Sequence, residues 1–151
     1  RLETAIASGA ALDRFRMMVE AQGGDARVLD DPGMLPRAPV IRNVLVPEDG
    51  VVPALPPRVL GEAVVAIGGG RRTATDAVDP AVGFSGLPMA GGRVVRGERV
   101  AVIHARSDTD ADIAESAFRQ AWNEGLRGDR VLPLLVERIT GDGIEPYGEL
   151  R

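Results

Sequence analysis

Apolar residues recur along this chain with two periods, and the changes of period mark its elements. Leu12, Phe15, Met18, Val19 and Gln22 fall at i, i+3, i+6, i+7 and i+10, a single helical stripe over residues 10–22 that Gly23-Gly24 stops. Ser8 is the expected N-cap of that helix, and Leu2 and Ile6, four apart, close a shorter helix before it. Asp30-Asp31-Pro32-Gly33 through Pro36 and Pro39 is linker chemistry, held fairly extended by its prolines. Over residues 40–46 the period drops to two: Val40, Val44 and Val46 share one face, Ile41 and Leu45 the other. Pro47-Glu48-Asp49-Gly50 predicts a turn, with Val51-Val52 starting the return strand. Pro56-Pro57 opens a short helix with Leu60, Ala63, Val64 and Ile67 on one face. Gly68-Gly69-Gly70 ends it.

Beyond Phe84 a glycine- and proline-rich loop covers residues 85–92. Residues 93–98 predict a strand and tight turn. Residues 100–105 are apolar on both faces apart from His104, the pattern of a central strand covered on both sides. Ser107 or Asp108 caps a helix whose expected face is Ile113, Ala114, Ala117, Phe118 and Ala121, stopped near Gly125. Residues 131–140 predict a last strand, which Pro133 confines to an edge or to its own beginning. Everything from Gly141 on reads as a frayed polar end. The order of elements gives the α+β class. The organisation expected is residues 1–36 as helices and linker, 37–141 as one α/β domain and 142–151 as a flexible tail.

Composition removes several function classes. The net charge is −4 and aromatics are few, so neither nucleic acid nor an anionic membrane is an expected partner. No cysteine is present, which excludes disulfides and thiol chemistry in this segment. No apolar run approaches the roughly 18 residues of a membrane span. All eighteen basic residues are arginine. Without lysine there is no P-loop lysine, no Schiff base and no attachment point for biotin or lipoate here.

Candidate chemistry is sparse. Gly68-Gly69-Gly70 follows a helix, whereas a phosphate cradle precedes one, so that amide N–H groups and the positive helix end face the anion. The glycines read better as a helix stop. Arg71 and Arg72 are the best local anion-binding candidates, since paired guanidinium groups can fork onto phosphate or carboxylate. The competing reading has them capping carbonyls at the helix end or pairing with Asp76 and Asp79, with Arg71–Asp79 the preferred pair. Asp108-x-Asp110-x-Asp112 has the spacing of a calcium loop, but Ile113 and Arg119 stand where glycine and a bidentate glutamate belong. No metal site is expected. Those acids suit the first turn of a helix. His104 is the only histidine and reads as a hydrogen-bonded structural residue. Ser85, Ser107 and Ser116 are available to it, yet none lies in a Gly-x-Ser-x-Gly elbow.

Three segments in order, SGAALDRFRMMVEAQGG, LGEAVVAIGGGRRTATDAVDPAVGF and GERVAVIHARSD, resemble the C-terminal domain of bacterial-type thymidine phosphorylases, from about Ser8 to Thr140. The resemblance implies a hammerhead-type α/β fold related to barrel-sandwich hybrids, preceded by one or two helices left from the catalytic domain. It also implies a parent that is a homodimeric, cytoplasmic pentosyltransferase of nucleotide salvage, using phosphate as co-substrate and no cofactor. In that family the substrate-binding residues, including a Lys-His-Ser segment, lie upstream, so no catalytic residue carries over. The chain opens on Arg1 rather than methionine, as expected of a fragment. Two other readings stay open. One is a stand-alone anion-binding module using Arg71 and Arg72. The other is a biotinyl- or lipoyl-like carrier domain, whose strand–turn–strand Gly92-x-Val94-x-x-Gly97-x-x-Val100-x-Val102 resembles but which lacks its lysine.

Overall fold

The computed structural model describes residues 1–125, 137–141 and 143–146. The chain divides into two units, residues 1–37 and 38–151, each with its own internal packing.

In the first unit, α1 (Leu2–Ala7) and α2 (Ala10–Ala21) are joined at Ser8-Gly9. Gly9, at φ 80°, is the N-cap of α2, and Ser8 instead closes α1, so the expected serine cap shifts by one residue. A left-handed φ fits glycine, and the sharp junction needs it there. Helix α2 ends as expected: the Gly24 N–H reaches the Val19 carbonyl and the Gly23 N–H that of Glu20, a complete Schellman stop. The stretch after it is not extended. Two short 3₁₀ turns, Ala26–Leu29 and Pro32–Met34, fold it up, with the side chains of Asp25 and Asp31 accepting at their starts. Arg16 on α2 ties this segment down by a two-pronged ion pair to Asp30 (2.8 and 3.1 Å) and a bond to the Ala26 carbonyl. That anchor spans residues fourteen apart, which local turn chemistry does not show.

The second unit is built on a three-stranded antiparallel sheet in the order β1 (Val40–Leu45), β5 (Arg99–Ala105), β3 (Gly83–Ser85). The shorter β2 (Gly50–Val51) pairs with β4 (Arg93–Val94). The return strand expected beside β1 is therefore absent: β1 is taken by β5, and its last residue pairings shift at Val44/Leu45. Gly97, at φ 82°, turns β4 into β5, and Arg96 N–H donates to Asp49 of the turn before β2, tying the two turns together (2.7 Å).

Helices α3 (Pro57–Ala66) and α4 (Asp108–Glu124) pack on each other, and α4 packs on β5 and β1. The core is Val44, Val46, Val52, Ile67, Val100, Ala101, Ile103 and Phe118, closed by small residues of α4. Phe118 is its largest member, with ring centroids 6.2 Å from Phe84 and 5.9 Å from Trp122. The buried stripe of α4 is Ala111, Ala114, Phe118 and Ala121. Ile113, expected on that face, is exposed, one position around the helix from Ala114. Alanines at the contact let the helix lie close to the sheet. Strand β5 is central as expected: Val100, next to the irregularity in the β1 pairing, and the helix-side Ala101, Ile103 and Ala105 are buried. Val102 and His104 on the other side are half-buried.

The last predicted strand begins outside the described residues. What is described is a hairpin of β6 (Glu137–Thr140) and β7 (Gly143–Pro146), paired Ile139 to Ile144. Ordered pairing thus continues past Gly141, where a frayed end was expected. Among the described residues no helix is long and apolar enough to cross a membrane.

Candidate functional site

The loop that leaves α3 carries the best anion-binding candidates, and its shape follows from how the helix ends. The Gly69 N–H bonds the Val64 carbonyl (2.8 Å) and the Gly68 N–H that of Val65 (3.2 Å), with Gly68 at φ 95°. This is a Schellman stop, as the sequence predicts. A Cβ on Gly69 would meet the Val64 side chain at 2.6 Å, and one on Gly70 would meet Val65 at 2.6 Å. The second and third glycines are therefore there for close approach to the helix. The loop is then tied back where the Asp79 N–H bonds the Gly68 carbonyl (2.9 Å).

Asp76 organises the loop's interior. Its carboxylate accepts from the backbone N–H of Arg72 (2.9 Å) and of Thr73 (3.0 Å) and from the Thr73 hydroxyl. These bonds, the Thr73 hydroxyl foremost, hold the Asp76 carboxyl below its ordinary value of 3.8. The two amides that could have cradled an external anion already hold an internal one. Asp79 likewise accepts from the Ala81 N–H (2.9 Å). The expected Arg71–Asp79 ion pair does not form. Both acids turn inward to the backbone, where the amides are fixed, while Arg71 and Arg72 stay exposed and make no ion pair among the described residues.

The arginine that meets the end of α3 is instead Arg106, from the residue after β5. Its guanidinium lies 2.8 Å from where a Cβ on Gly68 would stand, and pairs with Asp110 (3.3 Å). The reading from sequence missed it because 38 positions separate Arg106 from Gly68; only the packing of α3 beside α4 brings them together.

The three acids at the start of α4 are also engaged. Ser107 is the N-cap and accepts from the Asp110 N–H (3.1 Å). Arg42, from β1, reaches Asp108 (3.3 Å), Asp112 and Glu115 (3.4 Å). One guanidinium thus clamps the helix to the edge of the sheet. Among the described residues no group of three or more acidic or histidine side chains is arranged to hold a metal ion.

His104 and Ser85 form a second contact invisible in the sequence. Gly83 pairs with His104 and Ser85 with Val102, which sets the Ser85 hydroxyl 2.8 Å from His104 Nε2. Among the described residues no carboxylate bonds Nδ1, so the pair lacks the third member of a hydrolytic triad. A cavity of about 150 Å³ opens at the end of β1 beside Phe118 and Trp122, lined further by Val44, Leu45 and Val46. Its polar lining is Arg119, held by Glu115 (2.7 Å), and Asn123. It offers apolar contact but no acid–base pair.

Residues 51–124 match the family model of the pyrimidine nucleoside phosphorylase C-terminal domain. Over 140 residues the chain is 45% identical to a thymidine phosphorylase of Burkholderia cenocepacia, covering 92% of this chain and 32% of that protein. A thymidine phosphorylase of Burkholderia lata is 41% identical over 140 residues, 92% of this chain and 32% of the relative. One of Agrobacterium fabrum is 35% identical over 137 residues, 90% of this chain and 31% of the relative. The chain spans about a third of the length of these curated relatives.

Proposed function

Residues 51–124 belong to the pyrimidine nucleoside phosphorylase C-terminal domain family, and from that premise we propose that this chain is the C-terminal structural part of a thymidine phosphorylase. The parent's reaction is reversible. Phosphate oxygen bonds to the sugar's anomeric carbon as the bond from that carbon to the thymine nitrogen breaks. The products are 2-deoxyribose 1-phosphate and thymine. Such a step needs donors on phosphate and on the departing base. The resemblance assigns these to upstream residues. The observation that carries the reading is the identity across 92% of the chain. The occupied amides at Asp76 support a scaffold role for the loop rather than a phosphate site.

On this reading the second unit packs on the catalytic domain and moves with it when the substrate cleft closes. The small antiparallel sheets backed by helices fit the hammerhead-type fold related to barrel-sandwich hybrids. A homodimeric, cytoplasmic enzyme of nucleotide salvage, using phosphate and no cofactor, completes the proposal. The exposed pair Arg71 and Arg72 favours a competing reading, a stand-alone anion module. A phosphorolysis assay on the full-length gene product and on this 151-residue chain separates the two. Turnover of thymidine by the first and none by the second is expected. Turnover by the purified chain alone, or none by the full-length protein, overturns the proposal.

A further inference from the structure

The β1–β5–β3 sheet has one finished face and one unfinished face. Helix α4 covers the side of Val44, Ala101, Ile103 and Ala105. On the other side, Ile41, His104 and Gly83 form one row across the three strands and Asn43, Val102 and Ser85 the next. Ile41 is 60% exposed, and Leu45 at the end of the same strand 47%. The central strand places an apolar Val102 on this open side. A strand meant to face water on one side alternates apolar with polar; apolar residues on both faces belong to sheets covered twice.

Two polar groups of this face are already paired with each other. Ser85 and His104 hydrogen-bond each other at 2.8 Å, so taking them out of water orphans neither the hydroxyl nor Nε2. None of the six positions carries a carboxylate or a guanidinium, so no fixed charge would need a partner. Gly83 pairs with His104 and has open space where a Cβ would stand, which keeps that edge of the face flat.

What covers it follows from length. The relatives extend over about three times the length of this chain, and the rest of such a protein is tethered to this unit. Tethering gives it an effective concentration that a second, free copy does not reach in dilute solution. Resting on the phosphorylase reading above, we infer that the face of Ile41, Asn43, Val102, His104 and Ser85 is where this unit docks on the catalytic portion of its own parent chain. The Ser85–His104 pair sits inside that contact with the Ser85 hydroxyl and Nε2 bonded to each other, a positioning element and not a catalytic one.

The test exploits the absence of cysteine here. Asn43→Cys is introduced into the full-length parent and into the 151-residue chain. N-ethylmaleimide labelling of position 43 is followed by peptide mass spectrometry at low protein concentration. Ala74→Cys, on the exposed loop after α3, is the control. Labelling at 43 is expected to be at least tenfold slower in the parent than in the chain, with the control changed less than twofold. Ile41→Cys gives the same readout if the first variant does not fold. Equal rates at 43 in both proteins overturn the docking. So does protection in the 151-residue chain that vanishes on dilution, because a second copy would then be the cover. Thymidine phosphorolysis is assayed on the same parent preparation, so that lost turnover reports on the proposed function and the labelling rate on the docking.

Discussion

Arg106 lies against Gly68, its guanidinium carbon 2.8 Å from where a Cβ on that glycine would stand. The contact joins the end of β5 to the end of α3 and adds to a backbone constraint at the helix stop. Gly68 already sits at φ 95°, where an L-residue is strained. Gly68→Ala is expected to destabilise the chain by about 1–3 kcal/mol. A urea titration at unchanged slope measures it. Combining it with Arg106→Ala should cost less than the two separate changes added together, because removing the guanidinium leaves room for the methyl group.

Phe118 is 1% exposed, stacks on Trp122 and meets Phe84 at a tilt. Phe118→Ala should cost about 3–5 kcal/mol through lost burial and the cavity left behind. Phe118→Leu should cost clearly less. Equal losses for the two would show that the aromatic contacts, and not volume, hold this part of the core.

The α3 loop should depend on its acid and not on its arginines. Asp76→Ala removes the acceptor of two backbone amides and a hydroxyl. Arg71→Ala removes an exposed side chain without an ion pair among the described residues. The first is expected to lower the melting temperature and the second to leave it unchanged. In the full-length parent, Arg71→Ala should change the Michaelis constant for phosphate less than twofold. A rise of tenfold, about 1.4 kcal/mol of lost binding, would make Arg71 a phosphate ligand.

Acid should weaken both units through carboxylates held low. Bonds from the Arg27 side chain, and then its backbone N–H, lower Asp25 from 3.8 to about 2, and those described above lower Asp76. A depressed folded-state value means the stabilisation is fully present above the ordinary value of 3.8. It is then lost as pH falls, for Asp25 down to about 2. Carboxyl carbon shifts followed by NMR should place both midpoints below 3.8. A midpoint at or above that value for Asp76 would mean the loop is open in solution.

The stripe of α2 predicts self-association of the isolated chain. Leu12, Phe15 and Met18 remain 46–48% exposed. A helix of this length is marginal alone in water. Light scattering is expected to show concentration-dependent association, weakened by Phe15→Ser and abolished by deleting residues 1–37, with the second unit still folded. A chain strictly monomeric at high concentration, with α2 protected from hydrogen exchange, would contradict this.

What the sequence determined by itself was local. The stops at Gly23 and Gly68 and the Ser107 cap rest on bonds between residues a few positions apart, the proline entry to α3 on the backbone of one residue and the Phe118 stripe on the helical period, so composition and period suffice to read them. The α+β class and the family resemblance were legible for the same reason, because segments with strong local signals follow one another in a definite order. Tertiary structure decided whatever depends on contacts between distant residues. It gave β1 to β5 rather than to Val51-Val52, set Ser85 beside His104, brought Arg106 to Gly68 and spread Arg42 over three acids of α4. It also turned Asp76 and Asp79 inward, since fixed backbone amides satisfy a carboxylate without ordering a long arginine side chain. Periodicity showed that β5 is apolar on both faces; only the packing of the second unit revealed which of the two is still open.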